Sequence, residues 1–476
     1  METIESLESR AGLNAVARTT AILERIAQRE GDVQAFLTVD REGALAQAAA
    51  ADLRRQRGEA GPLNGVPVAL KDNLSTRGLR TTCGSRLLEN YEPPFDATVV
   101  RRLREAGAVI VGKTNMDEFA MGASTENSAF GPTRHPESLE RVPGGSSGGS
   151  AAALAYGGCL FALGSDTGGS IRQPASFCGV VGLKPTWGRV SRWGLTALAS
   201  SLDQVGPMTR TVRDAAIVLG VIAGADPRDA TASPLPVPDY LDGIEDGVEG
   251  LRVGVAPDLL TTLELAGLDN GGVRSRLEAA ARTLTTLGAS LVNVFLPSPD
   301  DAVAAYYVLC PAEASANLAR FDGIRFRQLN GQQGEGEDIW QTIQQTRGRG
   351  FGREVKRRIL VGTFALSAGY HDRYYRRALA ARTRIARAYD AALMDCDVLL
   401  MPVTPTPAFK LGEITDPLAM YRADSYTVGV SLAGLPALSL PFGRVDGLPQ
   451  GVQLVGRSFG EATLLRVARA LEKEEG

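Results

Sequence analysis

Apolar residues in this chain follow two spacings, one typical of helices and the other of buried strands. Helical spacing predicts helices over residues 3–29, 40–57, 97–106, 150–156, 273–287 and 373–394. Short apolar runs predict strands over residues 66–70, 108–111, 160–163, 251–255, 291–295, 398–401, 438–440 and 452–455. Because strands and helices alternate, we predict an α/β fold in which a central mixed β-sheet is covered by helices on both faces.

Two polar segments that contain glycine interrupt this alternation, at residues 226–250 and 328–352. A length of 476 residues would allow roughly three domains. Neither segment, however, has the composition of a clean domain boundary. We therefore predict a single domain over residues 1–476, with the first segment as a surface connection and the second as a mobile loop or insertion.

Charge and cysteine content narrow the class of protein. The formal net charge is −3, so the composition does not indicate a strongly basic face for nucleic acid. The five cysteines are widely spaced and include no C-x-x-C pair, which favours reduced thiols in a cytoplasmic protein over disulfides or a metal site. The N-terminal residues lack the apolar core of a signal peptide, and no apolar run approaches the length of about 18 residues that predicts a membrane span.

Two glycine-rich stretches carry the candidate chemistry. Residues 142–153 contain Ser146, and residues 164–172 contain Ser170. Lys71 lies upstream, at the end of a predicted strand. A lysine and two serines in these surroundings indicate a nucleophilic serine that works without histidine.

A serine hydroxyl becomes a good nucleophile only when a base removes its proton. The chain has two histidines, His135 and His371, which leaves little material for a Ser-His-Asp triad. Lysine can act as the base when it is neutral, and burial beside an apolar strand would lower the pKa of Lys71 from its reference value of about 10.4. A second serine can bridge the distance by passing the proton to the lysine.

Two further motifs point to different chemistry. Residues 107–114 match the P-loop pattern G-x-x-x-x-G-K-[ST], but their variable positions are Ala-Val-Ile-Val, which we predict to be a strand and not a phosphate-binding loop. Residues 145–149 match the nucleophile elbow of α/β-hydrolases. That fold needs a downstream histidine, and only His371, beside a charged helix start, is available. We therefore favour neither alternative.

The lysine and the two serine stretches resemble the amidase signature family of Ser-cisSer-Lys amide hydrolases. The resemblance implies the amidase signature fold, with Ser170 as the nucleophile, Lys71 as the general base and Ser146 as a bridging serine preceded by a cis peptide bond. Glycines before Ser170 let the backbone approach a substrate closely, so we expect the N–H groups of this turn to form an oxyanion hole. The residues of the expected oxyanion hole are Thr167, Gly168 and Gly169.

Four other polar residues in the two stretches are expected to support the site. We interpret Ser147 and Ser150 as structural residues that form hydrogen bonds or cap a helix. Asp166 is expected to organise the turn, and Arg172 is expected to order the site through hydrogen bonds.

Within the family, the chain resembles the glutaminase subunits of tRNA-dependent amidotransferases. The segments that carry this resemblance are residues 81–85, 112–122, 124–128, 200–207, 317–323, 354–359 and 361–367. It implies that Ser170 hydrolyses glutamine and that the ammonia passes to a partner, which uses ATP and Mg to amidate misacylated Glu-tRNA(Gln), or Asp-tRNA(Asn) in some members. It also implies a heterotrimer with B and C subunits, no cofactor in this chain, and no membrane.

A glutaminase must recognise an α-carboxylate and an α-ammonium group. By resemblance, Arg358 is the carboxylate ligand, Asp424 the ammonium ligand and Tyr306 a further glutamine contact. An arginine fork suits a carboxylate. Other interpretations of each residue stay open. Arg358 lies in a basic helical run, and Asp424 precedes a helix that it could simply cap. Tyr307, adjacent to Tyr306, could be the glutamine contact instead.

Two other functions compete with the glutaminase subunit. One is a stand-alone amidase that acts on small or aryl amides, and the other is an inactive scaffold that keeps the fold. The intact set of Lys71, Ser146 and Ser170 argues against a scaffold. Arg358 and Asp424 argue against a general amidase, which has no need to hold an amino acid.

Overall fold

In the described part of the chain, eleven strands form one continuous sheet. The computed structural model describes residues 2–8, 14–259, 272–326 and 338–475. The strands are β1 (Phe36–Val39), β2 (Pro67–Lys71), β3 (Val109–Thr114), β4 (Phe161–Asp166), β5 (Val181–Lys184), β6 (Gln204–Thr209), β7 (Arg252–Val255), β8 (Ser290–Asn293), β9 (Val398–Pro402), β10 (Ala437–Val445) and β11 (Leu448–Gly456). Their order across the sheet is β1-β3-β2-β4-β6-β5-β10-β11-β9-β7-β8.

The sheet is mixed, as predicted. Strands β3, β2 and β4 run parallel, and so do β9, β7 and β8. The strands between these two groups pair antiparallel, from β4 through β6, β5, β10 and β11 to β9. Because β2 and β4 are parallel neighbours, their carboxyl ends, Lys71 and Asp166, lie at the same edge of the sheet.

Helices cover both faces of the sheet. They are α1 (Ile4–Glu8), α2 (Ala15–Val33), α3 (Arg41–Gln56), α4 (Thr98–Glu105), α5 (Gly148–Tyr156), α6 (Arg172–Cys178), α7 (Val212–Ile222), α8 (Gly272–Thr286), α9 (Pro299–Asn317), α10 (Ile339–Gly350), α11 (Arg353–Leu366), α12 (Tyr375–Asp395), α13 (Pro417–Tyr421), α14 (Val428–Ala433) and α15 (Glu461–Glu475). Along β9, Val398 and Leu400 enter one hydrophobic cluster, whereas Leu399 and Met401 enter another. This alternation means that both faces are buried.

The predicted elements agree with the structure in kind and differ at their ends. Strand β4 continues beyond the predicted residues 160–163 to Asp166, so it carries the chain directly into the turn before Ser170. The helical pattern over residues 3–29 corresponds to α1 and α2, and residues 9–13 lie outside the described ranges. Strands β5 and β6 were not predicted, because glycine, proline and polar residues interrupt their short apolar runs.

The two predicted insertions differ in structure. Residues 226–250 contain turns without a helix or strand, yet Tyr240 and Ile244 are buried in the core. The expectation of a loop over residues 328–352 is wrong for residues 339–350, which form helix α10. Glutamine and arginine, which are common in this segment, favour helix even without an apolar face. Residues 327–337 lie outside the described ranges, and the single-domain organisation stays a prediction.

All five cysteines are buried and none forms a disulfide. The helices in the described ranges are too short or too polar to cross a membrane.

Two glycines with opposite surroundings provide a test of the packing within the sheet. Gly206 of β6 pairs with Gly164 of β4, and a Cβ at Gly206 would lie 2.0 Å from the backbone oxygen of Leu183. We expect Gly206→Ala to lower the free energy of unfolding by about 1–3 kcal/mol or more, because the backbone around Leu183 would have to move to make room for the new methyl group. Gly220 lies in helix α7, and a Cβ there would meet nothing within 4 Å.

The matched control Gly220→Ala is expected to raise the free energy of unfolding by about 0.4–1 kcal/mol, because alanine favours a helix. Denaturant unfolding of both variants measures the difference. Equal effects of the two substitutions would show that the sheet does not constrain Gly206.

Candidate active site

The side chain of Lys71 is buried among serine hydroxyls at the end of β2. Its Nζ donates to the Oγ atoms of Ser146 and Ser147, each at 2.8 Å, and to Ser165 Oγ at 3.0 Å. The Ser165 hydroxyl also accepts from Asn73 Nδ2 at 2.9 Å. Since Ser146 and Ser165 belong to the two glycine-rich stretches, Lys71 joins both of them.

Burial lowers the pKa of Lys71 from its ordinary value to about 7. Desolvation is the main cause, because it penalises the charged ammonium. Nearby carboxylates, including those of Asp117 and Asp166, oppose this effect. A neutral lysine amine has a lone pair, so the amine can accept a proton from the Ser146 hydroxyl at 2.8 Å.

The peptide bond between Gly145 and Ser146 is cis, as the resemblance implied. Ser147 precedes helix α5 and forms hydrogen bonds, as expected, and its hydroxyl accepts one of them from Lys71 Nζ at 2.8 Å. Ser150 agrees with its structural interpretation, since its hydroxyl pairs with Thr114 Oγ1 at 2.7 Å and lies 3.2 Å from Leu163 O.

The second glycine-rich stretch forms a tight turn between β4 and α6. The side chain of Asp166 organises this turn, since its Oδ2 accepts from the backbone N–H groups of Ile171 and Arg172. The turn is joined to the first stretch by a hydrogen bond of 3.2 Å from Ser147 N–H to Ser170 O. Ser170 is 8% exposed, so it is buried with only a small part open to solvent.

The backbone of this turn carries unpaired donors. Among the residues that the structure describes, no acceptor bonds to the N–H groups of Gly168, Gly169 or Ser170. Buried backbone N–H groups are nearly always paired, so consecutive free donors form a concavity that suits an anion. Gly168 and Gly169 are thus available for the predicted oxyanion hole. The hydroxyl of Thr167, the third residue of the predicted hole, donates to Asp203 at 2.6 Å and so holds the start of the turn in place.

The guanidinium of Arg172 is fully buried and orders the site, as predicted. It forms an ion pair of 2.9 Å with Asp166 and donates to Thr427 O, Gln453 Oε1 and Ser431 Oγ. Burial alone would raise the pKa of Asp166, but the charge and hydrogen bonds of Arg172 hold that pKa below its ordinary value. The turn is therefore attached to the C-terminal third of the chain.

The three predicted glutamine ligands lie together beside this turn. Tyr306 packs on Gly168, where an added Cβ would meet the tyrosine hydroxyl at 2.6 Å. Thr427 Oγ1 lies 2.5 Å from Gly168 O and 3.0 Å from the backbone oxygen of Asp424. The Asp424 carboxylate accepts from the Tyr307 hydroxyl at 3.1 Å.

Arg358 is connected to Asp424 through an aromatic pair. The rings of Tyr307 and Tyr421 stack with centroids 3.7 Å apart, and the Arg358 guanidinium lies 5.3 and 5.4 Å from their centres. Arg358 Nε donates to Glu354 at 2.8 Å. Within the described ranges its two terminal nitrogens have no acceptor, which leaves a fork free for a carboxylate.

Burial raises the pKa of Asp424 from its ordinary value to about 7, and the Tyr307 hydrogen bond and Arg358 oppose this. A bound ammonium group would stabilise the ionised form. The arrangement therefore offers one cationic and one anionic group, as an α-amino acid requires. The alternative that Asp424 serves only as a helix cap is disfavoured by its side-chain contact with Tyr307.

Several supporting residues were missed in the sequence. Glu354 precedes Arg358 by four residues on one helix, and this spacing alone could have predicted their ion pair. Tyr421, Ser165 and Asn73 carry no such signal, because they reach the site only through the fold.

The structure supports neither the P-loop pattern of residues 107–114 nor a nucleophile elbow that uses His371. The segment that matches a P-loop is the buried strand β3, and Lys113 is held by Asp72 at 3.2 Å and by Thr81 at 2.7 Å. His371 precedes α12 and pairs with Asp372 at 3.1 Å. No group of three or more His, Cys, Asp or Glu side chains in the described ranges is arranged to hold a metal ion.

Comparison with known proteins identifies the family. A family model described as Amidase matches residues 17–465. The chain belongs to the amidase family. The match covers β1 to β11 and all the predicted site residues, so those residues lie within one family region.

This amidase is 56% identical over 472 residues to the A subunit of glutamyl-tRNA(Gln) amidotransferase from Moorella thermoacetica, covering 99% of this chain and 95% of the relative. The crystal structure of the corresponding A subunit from Thermotoga maritima is similar, with a TM-score of 0.82, 46% identity and coverage of 100% of this chain and 95% of that chain. A peptide amidase from Stenotrophomonas maltophilia has a TM-score of 0.82 and 33% identity, covering 99% of this chain and 96% of that chain. The predicted amidase signature fold is confirmed.

The pKa of Lys71 predicts a pH profile for this amidase. Its amine must be neutral to accept a proton, and the neutral fraction grows as the pH rises through about 7. We expect kcat for amide hydrolysis at saturating substrate to rise with pH through this region and then level off. Lys71→Met is expected to abolish turnover.

Lys184 provides a matched control for this profile. It is equally buried, and desolvation together with Arg172 lowers its pKa to about 7, but its Nζ donates to Pro185 O and not to a serine. Lys184→Met should keep the rise in kcat, measured under the same conditions. If kcat of Lys184→Met no longer rises with pH, the assignment of the pH profile to Lys71 is wrong.

Proposed function

We propose that the chain is the glutaminase subunit of a tRNA-dependent amidotransferase, the enzyme that converts Glu-tRNA(Gln) to Gln-tRNA(Gln), in which it is the A subunit. The observation that carries this proposal is the meeting of two arrangements at one turn. A lysine–serine relay approaches the turn from Lys71, and an arginine–aspartate pair suited to an amino acid approaches it through Tyr306 and Thr427.

In the first half of the proposed reaction, Ser170 Oγ attacks the side-chain carbonyl carbon of glutamine. Its proton passes to Ser146, whose own proton passes to the neutral Lys71 amine. The free N–H groups of Gly168 and Gly169 stabilise the oxyanion, an effect that is commonly worth about 3–4 kcal/mol for each donor. The proton returns through Ser146 to the amide nitrogen, the C–N bond breaks, and ammonia leaves.

In the second half, the relay acts on water. Ser146 and Lys71 remove a proton from a water molecule that attacks the glutamyl ester of Ser170. The ester bond breaks, Ser170 regains its proton, and glutamate is released. Since the lysine ends each half-reaction neutral, one residue serves both steps.

The glutamine ligands explain selectivity in this proposal. Arg358 binds the α-carboxylate with its free fork, and Asp424 binds the α-ammonium. Tyr306 packs between them and the turn, and Tyr307, which is hydrogen-bonded to Asp424, joins the set. A stand-alone amidase for small or aryl amides is less well supported, because such a substrate leaves the buried Arg358 and Asp424 without a role and because the amidotransferase relatives are more similar.

The remaining steps belong to the complex. Ammonia from glutamine passes to a B subunit that binds ATP and Mg and activates the misacylated tRNA, and a C subunit completes a cytoplasmic heterotrimer. Asp-tRNA(Asn) is a second misacylated substrate that we propose for the complex as a whole. The names of the amidotransferase relatives and the five buried free thiols support this part of the proposal.

Ammonia release from glutamine, asparagine and a simple aliphatic amide tests the proposal first. We expect release to favour glutamine and to fall at least about 1000-fold in Ser170→Ala, because the nucleophile is removed. Ser150→Ala is the matched control, since Ser150 lies in a glycine-rich stretch but contacts Thr114 and Leu163 instead of Lys71.

Two results would count against the glutaminase. Release from the aliphatic amide with indifference to glutamine would favour the stand-alone amidase. If nothing is released, addition of the B and C subunits with ATP and Glu-tRNA(Gln) distinguishes a subunit that needs its partners from an inactive scaffold.

Substitution of Arg358 tests the glutamine ligands. We expect Arg358→Ala to raise KM for glutamine by about 10- to 100-fold, because a charged hydrogen bond is worth about 1.5–3 kcal/mol, while hydrolysis of a simple amide changes little. Arg357→Ala is the matched control, since Arg357 pairs with the same Glu354 but is only half-buried. Equal losses on both substrates would refute the assignment of Arg358.

A further inference from the structure

A cavity of about 340 Å³ lies between helix α2 and the segment that joins α5 to β4. Its basic lining comes from three arginines, of which Arg18 and Arg25 belong to α2 and Arg210 follows β6. Glu2 is the one carboxylate among the described residues that line it. Three guanidinium groups against one carboxylate leave a net positive charge, so the cavity favours an anion.

The guanidinium of Arg18 is buried and largely without acceptors. The residue is 6% exposed, and its Nη1 donates to Gly65 O at 3.0 Å. Its Nη2 has no hydrogen-bond partner among the residues that the structure describes. Its Nε lies 3.5 Å from the Glu2 carboxylate, which is longer than a normal hydrogen bond. Since a buried charged donor without an acceptor is costly, this fork indicates a ligand oxygen.

The other two arginines differ in the donors that they keep for a ligand. Arg210 is held by backbone oxygens, since its Nη2 donates to Leu154 O and Cys159 O. Arg25 donates through Nη1 to Gly157 O at 3.0 Å, and in the described part of the chain its other nitrogens have no acceptor. The residue is exposed, so these nitrogens can turn toward a ligand beside Arg18.

Nearby acids compensate the positive charge of the cavity only in part. Asp52 and Asp214 lie near Arg18 and Arg210, but both carboxylates accept from backbone N–H groups and neither lines the cavity. The side chain of Glu2 is 34% exposed, so solvent weakens its attraction to the arginines. Desolvation therefore lowers the pKa of Arg18 from its ordinary value, although Glu2 opposes this effect.

One wall of the cavity is apolar. Ala17, Ala21 and Ile22 of α2 line it, together with Leu160 at the start of β4. Sites for small organic molecules commonly have volumes of about 300–1000 Å³ and combine an apolar lining with a few polar groups. A bare inorganic ion would leave this wall uncovered, whereas a ligand with a carbon skeleton would cover it.

From these observations we propose that the cavity is a binding site for a small organic anion. Arg18 and Arg25 hold its phosphate or carboxylate group, and its carbon skeleton packs on Ala17, Ala21 and Ile22. Both kinds of group present the oxygen pairs that a guanidinium fork binds.

The cavity and the catalytic relay lie at opposite ends of α5. Ser146 and Ser147 directly precede this helix, and Arg25 and Arg210 donate to carbonyl groups at its other end. Nine residues of helix extend about 13 Å, which is too far for a small anion in the cavity to touch a substrate at Ser170. The site is therefore separate from the active site, and it uses none of the proposed glutamine ligands.

Titration calorimetry with phenyl phosphate and benzoate at constant ionic strength tests the site. The two probes share a ring and differ in their anionic group, and benzyl alcohol is a neutral control of similar size. We expect saturable binding of at least one anion with one site for each chain, and no binding of benzyl alcohol. Tighter binding of phenyl phosphate would indicate a phosphate ligand, and tighter binding of benzoate a carboxylate. Failure of both anions to bind would overturn the proposal.

Two substitutions in the cavity should change the affinity in opposite directions. Arg25→Gln is expected to weaken binding of the anion at least about fivefold, because a charged donor is lost. Glu2→Gln is expected to tighten it about threefold or more, because the carboxylate no longer competes for Arg18. Arg29→Gln is the matched control, since Arg29 lies one turn further along α2, donates to Pro136 O and does not line the cavity. Equal affinities of Arg25→Gln and Arg29→Gln would refute the site.

Arg358→Ala separates this site from the active site, because the fork of Arg358 can also bind an oxyanion. We expect Arg358→Ala to keep the binding of phenyl phosphate or benzoate. Loss of binding in Arg358→Ala with normal binding in Arg25→Gln would place the anion in the active site and overturn the proposal. Arg18→Gln is expected to abolish binding, and its melting temperature shows whether the fold is kept. If that variant does not fold, the exposed Arg25 decides the outcome.

Discussion

The buried ion pair between Arg172 and Asp166 is the interaction on which the geometry of this protein depends. It lies between the end of β4 and the start of α6, so it sets the turn that presents Ser170. The remaining donors of the same guanidinium reach Thr427, Ser431 and Gln453, all from the last quarter of the sequence. Removal of one partner from such a pair commonly costs about 3–5 kcal/mol, because the other charge stays buried. One side chain thus holds together two parts of the chain that are about 260 residues apart.

The active site combines two opposite uses of burial. Lys71 contacts hydroxyl groups and, among the described residues, has no carboxylate within ion-pair distance, so desolvation prevails and its pKa falls to about 7. Arg172 is just as buried but is paired with a carboxylate, so the charges of that pair persist. The same sheet edge therefore holds Lys71, which can lose its proton, and the ion pair of Arg172 with Asp166, which stays charged and orders the backbone of the turn.

The sequence allowed the sheet edge to be predicted better than the helices that complete the site. Lys71 follows an apolar strand, and glycines surround both serines, so local patterns indicated the strand ends and the turns. The contacts of Ser147 with Lys71 and of Tyr307 with Asp424 depend on how distant segments meet, and no local pattern encodes that. Helix α10 was missed for another reason, since it has almost no buried face and therefore no apolar periodicity. Strands β5 and β6 were missed because central strands with glycine and proline resemble loops in a sequence.

The order of the site residues along the chain has an evolutionary consequence. Lys71, Ser146 and Ser170 all precede β5, whereas Tyr306, Arg358 and Asp424 belong to the helical region between β8 and β10. In the proposed function, the bond-breaking residues and the residues that recognise the amino acid are therefore encoded in separate stretches of the gene. Drift, insertion or recombination in the second stretch can change which amide is accepted while the first stays intact. Such separation allows the substrate range to change during evolution while the nucleophile and its base are kept.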